Sequence, residues 1–226
     1  MPCNSLFTWQ KYSLLRLSRW NRSCLSLCLF FFTLSACSDF FSYSSGETAK
    51  PINSDKADAL FKETETPRFQ LSFDDSSWNW LQENALLKEY VPAELKIDGK
   101  AIGKVGVRYK GQTGTLISCF TNGVRNEKCP RLSLKIKFDK YDDNLKYLGL
   151  KRLKLHSLKN DKSLLRERIS YSIFYGMNLP TPRASYAMVS INQGPYGLYG
   201  MLENIDKRFL KTRQPQDYEG NLYKSA

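Results

Sequence analysis

Residues 91–110 read VPAELKIDGKAIGKVGVRYK and hold two apolar runs on either side of Asp98-Gly99. An Asp-Gly pair favours the tight type I′ turn that joins two antiparallel strands. The alternating apolar residues of both runs fit strands with one buried face. The stretch therefore predicts a β-hairpin, VPAELKI followed by AIGKVGVRYK, from which the neighbouring elements can be placed.

Further strands are expected on both sides of this hairpin. In LSLKIKF (132–138) the apolar residues alternate with a serine and two lysines, which predicts one core face and one cationic face. Residues 150–155 repeat the pattern in part. Residues 184–191 and 196–205 predict a second hairpin, and residues 68–73 alternate in the same way near the amino-terminal end of the folded part.

Two segments have the periodicity of helices. The apolar residues of 161–177 recur at helical spacing and predict a buried stripe, with Asp161 or Ser163 as the N-cap. A shorter helix is expected after Asp74-Asp75-Ser76. Together with the strands, these segments predict an α+β fold, a mostly antiparallel sheet with one main packed helix. The predicted stripe consists of Leu164, Leu165, Ile169, Ile173 and Phe174.

The segment RYKGQTG (108–114) follows a predicted strand and offers a place for a phosphate group. Gly111 lets the backbone approach a ligand, and three side chains can contact phosphate oxygens. These side chains belong to Arg108, Lys110 and Thr113. An ordinary hairpin turn uses glycines in the same way, so the segment by itself leaves both interpretations open.

Lys135 and Lys137, on the cationic strand face, fit either an anion site or a solvated surface. Glu167 lies three residues after Leu164 but off the apolar stripe. It can face a strand lysine, or it can pair with a neighbouring arginine on the helix surface. The spacing alone does not choose between these arrangements.

In combination, these segments resemble the spore-coat protein CotH family of atypical, exported protein kinases. The resemblance runs from about Arg68 to Lys224 and rests on several segments in the same order. These are VGVRYKGQT, SLKIKFDKY, GLKRLKL with DKSLLRERISYSIF, LPTPRASYAMVSIN, and YGLYGMLENIDKRFLK with GNLYK. It implies the amino-terminal lobe of a divergent protein-kinase-like fold, which clamps ATP. In that family a carboxyl-terminal lobe supplies the acidic magnesium ligands and the catalytic machinery.

The resemblance also implies roles for particular residues. Lys135, or alternatively Lys137, is expected to contact the phosphates, and Glu167 is expected to hold that lysine. His156 stands where the family tends to have asparagine, and we interpret it as a structural histidine. The phosphate-facing loop and the hinge near the adenine are expected to comprise Arg108, Lys110, Gly111, Thr113, Glu203 and Asn204.

Residues 67–226 are expected to form the CotH-like amino-terminal lobe alone, because family members continue beyond the position of Ala226 into a carboxyl-terminal lobe. The family uses ATP and Mg²⁺ to phosphorylate protein Ser or Thr. We expect neither ATP nor Mg²⁺ to bind tightly to this chain, and we expect the chain by itself to be inactive. The alternative is a non-enzymatic cell-envelope lipoprotein that binds anionic polymers or a protein partner.

Residues 1–36 have the organisation of an export signal. Four cations and no acidic residue precede Asp39, and CLSLCLFFFTLSA (24–36) is uncharged but too short to span a bilayer. The run ends in Leu34-Ser35-Ala36 before Cys37, which resembles a bacterial lipobox and predicts acylation of Cys37. A secretory signal cut near Ala36 and an uncleaved anchor are the alternatives.

This export signal sets the expected location and partners. Acylation of Cys37 predicts a membrane-anchored lipoprotein, at the outer membrane or cell surface rather than the inner membrane. Residues 37–66 are rich in Ser, Thr and charged residues and predict a flexible tether. A protein substrate is the possible further partner.

Cysteine usage points to the same compartment. Removal of the signal and acylation of Cys37 leave Cys119 and Cys129, which predict one structural disulfide in an oxidising compartment. Two free thiols are the alternative. A zinc site is disfavoured because these two thiolates and the lone His156 fall short of four ligands.

The charge balance favours anionic partners. The signal holds four of the 34 Lys and Arg residues, so the mature part has 30 against 22 acidic residues and a net charge of +8. Such a surplus suits nucleotides, phospholipid head groups or envelope polymers, as well as an ordinary solvated surface. The export signal, rather than the charge, disfavours nucleic acid.

Overall fold

Alternating apolar and polar residues build the strands of the computed structural model, which describes residues 55–223. Seven of its strands close into a barrel in the order β1-β2-β3-β6-β7-β9-β8, while β4 and β5 form a separate short hairpin. The strands are β1 (Arg68–Ser72), β2 (Val91–Ile97), β3 (Lys100–Tyr109), β4 (Phe120–Thr121), β5 (Val124–Arg125), β6 (Leu134–Lys137), β7 (Arg152–His156), β8 (Ala184–Ile191) and β9 (Gly197–Glu203).

The helices are short and lie in the segments that precede, connect or follow the strands. Asp74 caps the first α-helix through a 2.8 Å hydrogen bond from Ser77 N–H, as the sequence predicts. The α-helices are α1 (Asp75–Glu83), α2 (Arg166–Gly176) and α3 (Lys207–Arg213). The 3₁₀ helices span Lys56–Phe61, Ala85–Leu87, Ile117–Cys119 and Phe138–Lys140.

The barrel combines antiparallel neighbours with one parallel closing pair. The predicted hairpin of β2 and β3 is confirmed, and its turn places Asp98 at φ 50° and Gly99 at φ 79°, as a type I′ turn requires. The closing pair is β1 with β8, in which Phe69 lies opposite Val189. This pairing removes both free edges of the sheet.

The barrel interior is filled by apolar side chains from its seven strands. Because side chains alternate between the two faces of a strand, every second residue contributes to this core. The core includes Phe69, Leu95, Val107, Ile136, Leu153, Ala187 and Met201, all fully or almost fully buried. The intervening side chains face away from this interior.

The predicted α+β layer with one main packed helix, like a kinase amino-terminal lobe, is wrong. The sheet closes on itself, so strands surround most of its core, and the α-helical residue that joins this core is Leu81 of the short α1. α2 begins at Arg166, later than predicted, and none of its residues is buried. Its expected core stripe is instead 45% to 55% exposed at Leu165, Ile169, Ile173 and Phe174.

Polar contacts decide which face of α2 meets the barrel. Glu167 is bonded to His156 of β7, and the guanidinium of Arg168 lies 5.3 Å from the ring centre of Tyr186 in β8. The apolar stripe lies on the other side of the helix. Helical periodicity therefore identifies the two faces correctly, but it does not state which of them packs on the sheet.

A buried ion cluster forms around Glu203 at the end of β9. The carboxylate is only 1% exposed and pairs with three guanidinium groups. Arg183 makes the shortest contact, Arg208 lies 3.2 Å away and Arg213 lies 3.3 Å away. Three cations around one buried carboxylate require further acids nearby.

Those acids come from the amino-terminal end of the described chain. Asp55 pairs with Arg208 and Arg183, and Asp58 pairs with Arg183. Asp55 also accepts a 2.9 Å hydrogen bond from Ala57 N–H and so caps the 3₁₀ helix that follows. The packed structure thus includes residues that the composition assigns to the tether.

Replacement of Glu203 tests this cluster. We expect Glu203→Gln to lower the free energy of unfolding by about 3–5 kcal/mol, because three buried guanidinium groups lose their shared counter-ion. Urea denaturation of the purified chain measures the loss. Glu63→Gln is the control, since that side chain is 76% exposed and its pair with Arg168 should contribute below about 1 kcal/mol. Equal losses in the two variants would contradict the assignment.

Candidate functional site

The outer face of three neighbouring strands carries a row of cations. Arg108 in β3 lies opposite Lys135 in β6, and Lys135 lies opposite Lys154 in β7. Cross-strand partners share one face of a sheet, and these three alternate with core residues, so their side chains point outward. We call Arg108, Lys135 and Lys154 the cationic row.

A hydrogen-bonded chain lies beside the cationic row. Lys110, just after β3, contacts Nε2 of His156 through its Nζ atom. Nδ1 of His156 lies 2.8 Å from the carboxylate of Glu167 in the first turn of α2. An imidazole that donates from Nδ1 and accepts at Nε2 satisfies both bonds. His156 therefore links the lysine to the carboxylate.

The surroundings of Lys110 depress the pKa of its ammonium group. Burial contributes most, and the positive charge of Lys154 adds to the decrease, while the negative charge of Glu167 opposes it. The resulting pKa is about 8, against an ordinary 10.5. Lys135 and Arg108 lower it further, so several cations share one carboxylate, and an anion would relieve their repulsion.

The segment after Lys110 forms a compact turn. Gly111 has φ +138°, and a Cβ there would lie 2.5 Å from Oγ1 of Thr115, so only glycine fits. Leu116 N–H donates to the Gln112 carbonyl at 2.9 Å, and Ser118 N–H donates to the Thr113 carbonyl at 3.0 Å. Local packing explains the glycine, and phosphate contact by Gly111 and Thr113 stays a prediction.

The other predicted phosphate contacts sit on the sheet. Arg108 is half-buried, and its guanidinium lies 5.3 Å from the ring centre of Tyr90. Lys137 lies one step along the outward face of β6, opposite Arg152. The structure therefore brings Arg108, Lys135 and Lys137 onto one surface, as the alternation predicts.

The two predicted hinge residues lie elsewhere. Glu203 is opposite Leu153, three residues along β7 from His156, and its carboxylate is occupied by the buried ion cluster. Asn204 is buried and donates a 2.8 Å hydrogen bond to Asp206. Contact of either residue with an adenine stays a prediction.

Sequence reasoning missed the part played by His156. The sequence predicts a structural histidine at position 156 and a strand lysine beside Glu167; the structure adds a hydrogen bond between the Glu167 carboxylate and the imidazole of His156. Alternation along RLKLH does place His156 on the same face as Lys154. The sequence could therefore have placed His156 beside the lysines. Its distance from Glu167 depends on the loop between β7 and α2, which alternation does not predict.

The predicted disulfide is confirmed. Cys119 and Cys129 are buried and bonded to each other, with their Cα atoms 5.6 Å apart. The bridge closes the loop that carries β4 and β5. The proposed lipidation residue, Cys37, lies outside the described residues.

Two further properties concern the described residues alone. Between residues 55 and 223, no three His, Cys, Asp or Glu side chains converge as a metal site would require. Within the same range, no helix has both the length and the apolar character needed to cross a membrane.

Comparison with known proteins agrees with the family resemblance of the sequence. The sequence model described as CotH kinase protein matches residues 107–226. The chain is 25% identical over 151 residues to the inner spore coat protein H of Bacillus subtilis, covering 67% of this chain and 37% of that protein. It is 31% identical over 80 residues to the inner spore coat protein H-like protein of the same organism, covering 35% of this chain and 24% of that protein. The matches thus span well under half the length of these relatives.

The pKa of Lys110 tests the geometry of the chain Lys110–His156–Glu167. We expect a heteronuclear NMR titration of its side chain to give a pKa of about 8. Glu167→Gln should lower that value, because a nearby negative charge is lost, and Lys154→Gln should raise it, because a positive charge is lost. Lys128→Gln, in an exposed loop, should change nothing. A pKa near 10.5, or shifts of the opposite sign, would contradict the geometry.

Proposed function

Since the chain belongs to the CotH kinase protein family, we propose that its outward cationic face binds the phosphate groups of ATP for transfer to protein Ser or Thr. The alignment of Arg108, Lys135 and Lys154 across three strands is the observation that carries this proposal. Adjacent strands are about 4.8 Å apart, so the row can contact neighbouring phosphates of one triphosphate. The net charge of the mature part favours the same class of ligand.

Lys110 supplies a fourth contact at the edge of the row. With a pKa of about 8, its amine is mostly protonated at neutral pH and holds its proton more firmly once a phosphate anion is bound. His156 and Glu167 keep the amine in place through their hydrogen bonds. In ordinary kinases a glutamate directly orients the phosphate-binding lysine, and here a histidine stands between the two groups.

Phosphoryl transfer also needs metal ions and a residue that positions the acceptor hydroxyl. In residues 55–223 no cluster of acids fits a magnesium ion, so we derive no step through the metal. The proposal for the described residues is therefore phosphate binding. The matched segments cover only 37% and 24% of the two relatives, and for this chain by itself we propose phosphate binding without a transfer step.

We further propose that the protein is an exported lipoprotein anchored through Cys37, at the outer membrane or cell surface. The disulfide between Cys119 and Cys129 supports an oxidising compartment, and the names of the relatives place them in the spore coat. A mass spectrum of the mature amino terminus should show diacylated Cys37. An unmodified terminus near Ser38 or an intact Met1 would contradict the anchor.

The basic surface also favours a second candidate, a non-enzymatic envelope protein that holds anionic polymers. This role depends on the overall positive charge of the surface and does not require particular cations to be aligned on neighbouring strands. Salt-sensitive polymer binding that is unchanged by Lys135→Ala and by Glu167→Ala would favour it over nucleotide binding.

Titration of the full chain with ATP and Mg²⁺, followed by ³¹P NMR, tests the first proposal. Three or four charge-assisted contacts on an open, hydrated face contribute roughly 1 kcal/mol each, which gives a Kd on the order of millimolar. We expect Lys135→Gln to weaken binding about fivefold through the loss of one such contact. Lys128→Gln, the same change of charge on an exposed loop, should leave the Kd unaltered.

Two results would count against this assignment. Equal affinity of both variants and the original chain would show that the cationic row does not hold the phosphates. Micromolar binding would contradict the expected weak affinity, and transfer of radiolabelled phosphate to protein by this chain would contradict the limit to phosphate binding.

A further inference from the structure

A cavity of about 420 Å³ opens at the end of the barrel where β1, β3 and β8 finish and β6 and β9 begin. Its size lies in the range of pockets for small molecules. None of its lining residues belongs to the cationic row or to the chain of Lys110, His156 and Glu167. The side chains that define this barrel-end pocket are Trp78, Tyr109, Tyr196, Tyr199, Arg125 and Arg131.

The Arg125 guanidinium is held in the wall of the pocket by neutral groups. Its Nε and Nη2 atoms donate to the carbonyls of Cys129 and Pro130 at 3.1 Å and 2.8 Å, and Nη1 donates to Oε1 of Gln82 at 3.3 Å. The disulfide fixes Cys129, so the cation sits on a closed and braced loop. A positioned donor group of this kind loses little freedom when it binds an anion.

Arg131 lies in the same pocket, where its side chain passes close to the backbone of Gly197. Its Nη1 atom donates to the Leu198 carbonyl at 3.1 Å, and its guanidinium lies 5.8 Å from the ring centre of Tyr199. A Cβ at Gly197 would lie 2.9 Å from both Cδ and Nη1 of Arg131. The absence of a side chain at Gly197 is therefore what leaves room for the cation.

Neither arginine has a carboxylate partner in the described part of the chain. The ion pairs of residues 55–223 involve other cations, and the acceptors of Arg125 and Arg131 are uncharged. A partly buried guanidinium binds most strongly to an anion with two oxygens, such as a carboxylate or phosphate. Two of them in one aromatic cavity point to an anionic ligand.

We propose that the barrel-end pocket binds a small aromatic anion, an aryl phosphate or aryl carboxylate. The flat side chains of Trp78 and Tyr196 offer surfaces for a ring, and Arg131 and Arg125 receive the anionic group. The hydroxyl of Tyr109 accepts a hydrogen bond from Gln82, so its own O–H remains able to donate to the anionic group. This site is independent of the proposed ATP contacts.

Calorimetric titration of the full chain with phenyl phosphate, inorganic phosphate and glucose 6-phosphate tests the proposal. Phenyl phosphate should bind about tenfold more tightly than either of the others, since it alone combines the ring with the charge. Arg131→Gln should weaken its binding about tenfold through the loss of one charge-assisted pair. Lys128→Gln, which removes a cation from the same disulfide loop but outside the pocket, should leave binding unchanged.

A second variant keeps the charge and moves only its position. Gly197→Ala should also weaken phenyl phosphate binding, because the new Cβ displaces the Arg131 guanidinium. Thermal unfolding of each variant checks that the barrel is intact, and if one variant fails to fold the other decides. Equal affinity for the three probes, or binding that ignores Arg131 and falls with Lys135→Gln, would overturn the proposal. A loss of binding in Lys135→Gln alone would indicate that the anion binds to the cationic row.

Discussion

The parallel pairing of β1 with β8 closes the sheet, and that closure gives the barrel strands a common interior. Once the seven strands form a barrel, alternate residues from each strand fill one interior. The polar residues of β3, β6 and β7 are then left on the outer surface. A slip of one residue between β3 and β6 would turn Lys135 and Lys137 into the core, so burial of Leu134 and Ile136 fixes the cations outward.

Most strands could be predicted because alternation is a local property. The hairpin around Asp98-Gly99 and the strand Ala184–Ile191 match the expected segments closely. The closing pair could not be predicted in this way, because β1 and β8 are more than one hundred residues apart and alternation does not specify a partner. The same limit explains the wrong expectation for α2, whose polar face meets the barrel.

The candidate site likewise combines features that local patterns predict with features that depend on distant segments. Arg108, Lys135 and Lys137 share a surface because their strands were assigned correctly, and the disulfide followed from cysteine usage. The contact of Glu167 with His156 depends on the loop between β7 and α2. That loop contains Leu158 and Leu164 in left-handed conformations, at φ 55° and 60°, which a local pattern of apolar residues does not predict.

The central claim is that the triphosphate of ATP lies on the cationic row, and an acyl-phosphate derivative of ATP tests it most directly. Such a reagent transfers its acyl group to a lysine amine beside the bound phosphates, and peptide mass spectrometry identifies the acylated residue. The account predicts labelling of Lys110, Lys135 or Lys154 that excess ATP suppresses, with Lys110 favoured because its pKa of about 8 leaves more free amine. Labelling that is spread equally over exposed lysines such as Lys128 and Lys162, and that ATP does not suppress, would contradict it.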